Sequence, residues 1–336
     1  MKTIIKSQAS ALLMSAALLF TAPFAAAETE FKVALGGSAD GGQHALATHF
    51  ADTLKQKTNG EFSARLFMNS QLGSEQDTVN DAALGVLDFS VVAINNITPF
   101  SPTVGIFTLP YMIQSLDEAV KLTQSDVAKE MVDNTIRDAG VRIVGWTFSG
   151  FRVLTNSKKP VTKLEDLQGM IIRVPKNEIM IDTYRAWGVN PTPMSWAELF
   201  TALQQQVVDG QDLSIVDIEA VKFDEVQTYI SNIHYNFLLE PMIMSEAIFQ
   251  EQSPEVQAAI LEAGQQATLH SADFLRSKET IARNSLIKKG MQISDVTDED
   301  QWISKATTTV WPKYYDSVGG KAKINNALRE LGRNEL

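Results

Sequence analysis

The chain has 336 residues, a formal net charge of −11 and no cysteine. It is long enough to bury a large core, as one big domain or two lobes. The acidic balance argues against a nucleic-acid partner and against an anionic membrane surface, and the missing thiols exclude disulfides and thiolate metal sites.

The first element in chain order is an export signal. Lys2 and Lys6 precede an apolar run, Ala11 to Phe20, broken only by Ser15. Small residues Ala25-Ala26-Ala27 then stand before Glu28. This is the pattern of a cleaved secretory peptide, with cleavage near Ala27-Glu28. The run is shorter than the roughly 20 residues needed to cross a bilayer, so no direct membrane insertion is expected. Losing residues 1–27 removes two lysines and no acid, which makes the mature charge −13.

Strand-like and helix-like stretches then alternate. Phe31 to Leu35 reads as a strand, broken by Gly36, Gly37, Gly41 and Gly42. His44 to Lys57 carries apolar residues at helical spacing until Asn59-Gly60. Phe62 to Met68 alternates as a strand, Glu75 to Leu84 is helical, and Asp88 to Ile94 is a short buried strand. Leu116 to Ala139 reads as one helix closed by Gly140, and Val141 to Phe148 as the next strand. The second half repeats the alternation: strand Gly169–Val174, helix Asn177–Trp187, helix Trp196–Val207, strand Gly210–Ser214. Beyond Ser253 the pattern is helical through Gln292 and again from Asp298. Alternation of this kind predicts an α/β fold with parallel pairing. No Pro/Gly/Ser linker separates two halves, so lobes would share strands and helices. Tyr235 to Phe249 is a candidate crossing segment.

Catalytic motifs are scarce. Gly36-Gly37-Ser38-Ala39-Asp40 approaches a nucleophile elbow but has Asp40 where glycine is needed. That loop reads as a turn, a wall of a ligand pocket, or a weak anion cradle. His44 and His49 are five residues apart, on different helix faces, so no metal is expected. Arg152 follows the aromatic run Trp146, Phe148 and Phe151; it fits either a salt bridge or a ligand cation. Arg173 closes the apolar run Ile171-Ile172, and a buried arginine needs a partner, internal or bound. Trp196, opening a helix, fits either core or an aromatic pocket wall.

Taken together, the order of several segments resembles the substrate-binding proteins of tripartite ATP-independent periplasmic (TRAP) transporters, the DctP-type family. These are Asn69-Ser70-Gln71-Leu72-Gly73 with Glu75, Leu84-Gly85 to Leu87-Asp88-Phe89, Leu109-Pro110-Tyr111, Gly169 to Pro175, Pro191-Thr192-Pro193-Met194, and Ala202 to Gln205 with Val208 to Gln211. The resemblance implies a two-lobed fold, each lobe a mixed sheet flanked by helices, linked by a hinge with crossing strands and a long helix. It places lobe 1 mainly in 28–150, lobe 2 mainly in 151–245, and the C-terminal helices of 246–336 across both. It implies a periplasmic monomer without cofactor or enzymatic activity. Such a protein closes on a small organic acid and delivers it to TRAP permease subunits. Arg173 would pair with the ligand carboxylate, Arg152 would supply a second cation, and Trp196 would cover the ligand. Glu75 and Asn96 would give polar contacts from lobe 1, and Trp146 would stand near the mouth. Family members commonly read Gly-Gln-Glu-Asn-Pro where this chain reads Gly210-Gln211-Asp212-Leu213-Ser214. Leu213 cannot hydrogen-bond through its side chain, which disfavours a heavily hydroxylated ligand such as sialic acid. Either Asp212 compensates or that wall is less polar.

Overall fold

The computed structural model describes residues 28–336; residues 1–27, expected to be a signal peptide, lie outside the described residues. The N-terminal sheet grows from β1 (Thr29–Leu35), whose Phe31, Val33 and Leu35 point inward. β1 pairs in parallel with β2 (Phe62–Phe67) and β3 (Phe89–Val91). The intervening helices, α1 (Gly42–Lys57) and α2 (Glu75–Ala83), supply the crossovers that parallel strands require. Ser74 and Asp77 form a reciprocal capping box at the start of α2, which fixes where Glu75 emerges.

A stretch expected as one helix is two: α3 (Leu116–Thr123) and α4 (Asp126–Ala139). The break falls at Ser125, whose hydroxyl caps α4 and so competes with continuous helix. The following strand is also longer than expected. β4 spans Val141–Asn156, sixteen residues. From Val141 to Phe151 it pairs with the later strand β9 (Phe237–Ser245), which in turn pairs with β3. From Arg152 to Asn156 it pairs with β7 (Gly210–Ser214), and near its end with β8 (Tyr229–Asn232). A register shift lies between Phe148 and Gly150, and Gly150 has φ +92°, a left-handed conformation that favours glycine. One strand therefore serves two sheets.

The second sheet continues outward. A bridge from Ile172 to Gly210 joins β5 (Arg173–Val174) to β7, and β5 pairs in parallel with β6 (Thr192–Pro193). Only two residues of the expected Gly169–Val174 strand are regular. Helices α5 (Glu178–Ala186), α6 (Trp196–Gln204) and α7 (Ile215–Ala220) complete this side. After the short α8 (Glu246–Glu251) comes α9 (Pro254–Lys288), a 35-residue helix that packs on α1, β4 and α7. At Gly264 its backbone lies against β4: an added Cβ would sit 1.9 Å from the Val144 carbonyl oxygen.

The C-terminal region is not purely helical. β10 (Gln292–Asp295) adds to β8, followed by α10 (Glu299–Thr309), α11 (Trp311–Tyr314) and α12 (Lys321–Glu330). β10 is short and largely solvated, with one apolar residue, so periodicity does not reveal it.

The cores follow the sheets. Phe31, Phe50 and Phe89 pack together under β1 with α1 and α9. Tyr184, Trp187, Tyr235 and Trp302 form an edge-to-face aromatic cluster on the other side. Each fully buried aromatic contributes about 2–3 kcal/mol of transfer free energy.

Candidate functional site

β4 passes from one sheet to the other at Arg152, and a cavity opens there between the two sides. Its empty space is about 560 Å³, a figure that includes open solvent at the mouth. Arg152 and Arg173 line one side, Glu75 and Glu240 the other, with Trp196 and Leu213 as apolar wall.

Arg152 is fixed by an acid behind it. Its Nη1 donates to the backbone oxygen and to Oδ1 of Asp212, both at 3.0 Å. The other Asp212 oxygen accepts from the hydroxyl of Tyr184 at 2.9 Å and from that of Tyr235. Burial works against the guanidinium charge, but Asp212, Tyr235 and Glu240 outweigh it and raise the arginine pKa. Its buried Nε has no partner among the described residues.

Arg173 is equally buried, 3% exposed like Arg152, but is held differently. Its Nε and Nη2 donate to one carbonyl, Met194 O, at 3.0 and 2.7 Å. That carbonyl follows β6, so the β5–β6 pairing sets the direction of the side chain. Among the described residues no carboxylate forms an ion pair with it, whereas Arg152 has Asp212. Burial and then the neighbouring Arg152 push its pKa down to about 10.

The opposite side is acidic and densely bonded. Glu75 stands in the first turn of α2, where the helix dipole favours a carboxylate. Its Oε1 accepts from Gln43 Nε2 at 3.1 Å, and its Oε2 accepts from the Ala93 amide at 3.0 Å and from the Asn96 side chain. Glu240, midway along β9, accepts from Gln43 Nε2 at 2.8 Å and from the Ser149 hydroxyl. Desolvation raises both carboxyls; Asp217 and Glu75 add to the effect on Glu240, pushed up to about 8. Asp217, at the N-terminal turn of α7, is raised for the same first reason, burial. Asn95 lines the cavity with a buried Nδ2 that has no partner among the described residues.

Hydrogen bonds span the cavity between its two sides. Trp196 Nε1 donates to Gly36 O at 2.9 Å, and Asn177 Nδ2 to Asn95 O at 3.0 Å. Ser38 Oγ donates to Ala220 O at 3.1 Å, and Gln76 Nε2 to Lys176 O at 3.3 Å. These bonds draw the two sides together.

Six of the eight expected residues line this cavity: Arg152, Arg173, Trp196, Glu75, Asn96 and Leu213. Two do not. Asp212 is fully buried behind Arg152, its carboxylate consumed by the arginine and two tyrosines. It therefore offsets nothing on the Leu213 wall. Trp146 is core, with its ring 5.6 Å from that of Phe107 and packed in the main apolar cluster. Gln43, Asn95, Asp217 and Glu240 also line the cavity. Glu240 had a signal, a lone charge inside Phe237–Met244, which is otherwise apolar but for Pro241. Gly37 and Gly41 line the cavity as well, so the glycine loop after β1 forms part of its wall. Among the described residues no group of three or more histidines, aspartates and glutamates is placed to hold a metal, and no helix is long and apolar enough to cross a membrane.

The chain resembles known proteins along most of its length. The family model for bacterial extracellular solute-binding protein, family 7 (DctP), matches residues 36–317. The 2,3-diketo-L-gulonate-binding periplasmic protein YiaO of Escherichia coli is 27% identical, over 77% of this chain and 78% of its own. A TRAP periplasmic solute-binding protein from Polaromonas, solved with D-erythronate bound, superposes with a TM-score of 0.85 at 27% identity, covering 89% of this chain and 98% of its own. One from Rhodobacter sphaeroides, solved apo and open, is 33% identical over 91% of this chain and 99% of its own, yet its TM-score is 0.74. The more similar sequence is thus the less similar shape, in keeping with the bonds that close the cavity here. The chain belongs to the DctP family of extracellular solute-binding proteins, the binding components of TRAP transporters.

Proposed function

We propose that this chain captures a small organic acid of the sugar-acid kind in the periplasm and presents it, closed, to a TRAP permease. The observation that carries the reading is Arg173: a buried cation lining the cavity whose side chain, among the described residues, hydrogen-bonds to a carbonyl and not to a carboxylate. A carboxylate supplies the missing countercharge and matches the guanidinium fork. The bonds across the cavity support closure about β4 and β9 around the ligand. D-Erythronate and 2,3-diketo-L-gulonate, bound by relatives, fit that class. The chain would act as a monomer starting at Glu28, with no catalysis, nucleic acid or inserted segment. Residues 28–150 would form most of lobe 1, 151–245 most of lobe 2, and 246–336 would pack across both. The test is a thermal-shift screen of residues 28–336 against organic acids and neutral sugars. A ligand at 100 times its dissociation constant adds about 2.7 kcal/mol. A carboxylate hit that Arg173→Ala abolishes supports the reading; hits among neutral sugars alone overturn it.

A further inference from the structure

The cavity wall changes character along one strand. Glu240 and Leu238 are two residues apart on β9, hence on the same face, and both line the cavity. At Glu240 that face is polar: Gln43 and Ser149 donate to its carboxyl, and Gln43 also donates to Glu75. At Leu238 it is apolar. Leu238 and Leu213 belong to one buried apolar cluster, Val221 and Trp196 pack against that cluster, and all four line the cavity. Leucine and valine carry no hydrogen-bonding atom in their side chains, and the single polar atom of the Trp196 ring is spent on Gly36 O. Asp212, the residue before Leu213, lies on the other face of β7 and is spent on Arg152, Tyr184 and Tyr235. A ligand hydroxyl pressed against this wall gives up its water and finds no side-chain partner. A methyl or methylene there loses nothing and buries its apolar area.

We infer that the cavity prefers hydroxy acids with an apolar edge, in which one carbon bears hydrogen where a full sugar acid bears a hydroxyl, and that Leu213 sets this preference. This rests on the acid-binding reading above and narrows it. The carboxylate goes to the arginine side, the remaining hydroxyls to the side of Glu75, Gln43 and Glu240, and the bare carbon to the side of Leu213 and Leu238.

Titration calorimetry on residues 28–336 with matched acids tests the inference. The pairs are D-erythronate with 4-deoxy-D-erythronate, L-galactonate with L-fuconate, and D-gluconate with 3-deoxy-D-gluconate; each second acid lacks one hydroxyl of the first. In at least one pair the deoxy acid binds about tenfold tighter or more. Leu213→Asn puts an amide into the apolar wall and narrows that ratio by about tenfold, and Val221→Thr, nearly isosteric, narrows it in the same direction. Should Leu213→Asn fail to fold, Val221→Thr carries the test alone. If no deoxy acid binds wild type more than threefold tighter than its parent, or if only acids without hydroxyls bind, the inference is overturned while the acid-binding reading stands. A preference that neither variant moves overturns the role of this wall. Binding of no acid at all overturns the acid-binding reading, and this inference with it.

Discussion

Arg152 and Arg173 are the same residue, equally buried, in one cavity, and the chain treats them oppositely. Around Arg152 the sequence supplies Asp212, Tyr184 and Tyr235, a network that settles the charge inside the protein. Around Arg173 it supplies a carbonyl and a second cation, which leaves the charge unsettled. A buried charge with a partner is part of the scaffold; one without is a cost held in reserve for a ligand. The lesson is that burial alone does not mark a binding residue. The missing partner does.

That contrast can be broken most forcefully at Arg152. Arg152→Met strands Asp212 in the interior and should cost about 3–5 kcal/mol of stability, read as a lowered urea midpoint. Arg173→Met should leave stability far less affected, yet weaken acid binding by about 2–5 kcal/mol in calorimetry. If the two variants lose stability equally, the distinction between scaffold and reserve fails. A subtler probe is pH. Glu240, facing Asp217, Glu75, Gln43, Ser149 and Arg152, keeps its proton to about pH 8 when folded, against an ordinary value of 4.5. The unfolded chain ionises first, so stability should fall as pH rises from 4.5 to 8, by at most about 1.4 kcal/mol per pH unit from this group. Melting temperatures of wild type and Glu240→Gln across that window check it; the variant should show the smaller slope. The smallest effect is expected at Trp196. Trp196→Phe keeps an aromatic wall but loses the bond to Gly36 O, costing about 0.5–1.5 kcal/mol of closed state, or a two- to tenfold weaker ligand affinity.

Much of this arrangement was legible in the residues. Arg173 could be found because a cation closing an apolar run must be buried, and Trp196 because turn signals and a helix start place it. Glu75 came only from the family resemblance, although the Ser74–Asp77 capping box that fixes it is local. What escaped depends on long-range pairing. Whether Asp212 faces the cavity or the interior is set by the register of β7 on β4, which no local pattern encodes. Trp146 looks like a pocket aromatic until Phe107, distant in sequence, packs against its ring. Glu240 belongs to a run that reads as core, and its neighbours Gln43 and Ser149 lie 197 and 91 residues away in sequence. The break between α3 and α4, by contrast, was written locally in Ser125 and was outweighed by the apolar periodicity on both sides.

β4 has a consequence for how the molecule comes apart. Its first eleven residues are the edge on which β9 completes one sheet, and its last five are the partner that β7 needs in the other. Neither sheet keeps its full complement of strands if the other melts, and α9 is laid bare backbone to backbone on the shared strand at Gly264. The two lobes are therefore one cooperative unit, and expressing either alone would leave an open edge. A ligand held at the crossing would be felt by both sheets at once, so even a few contacts would register as a shift in the melting of the whole chain.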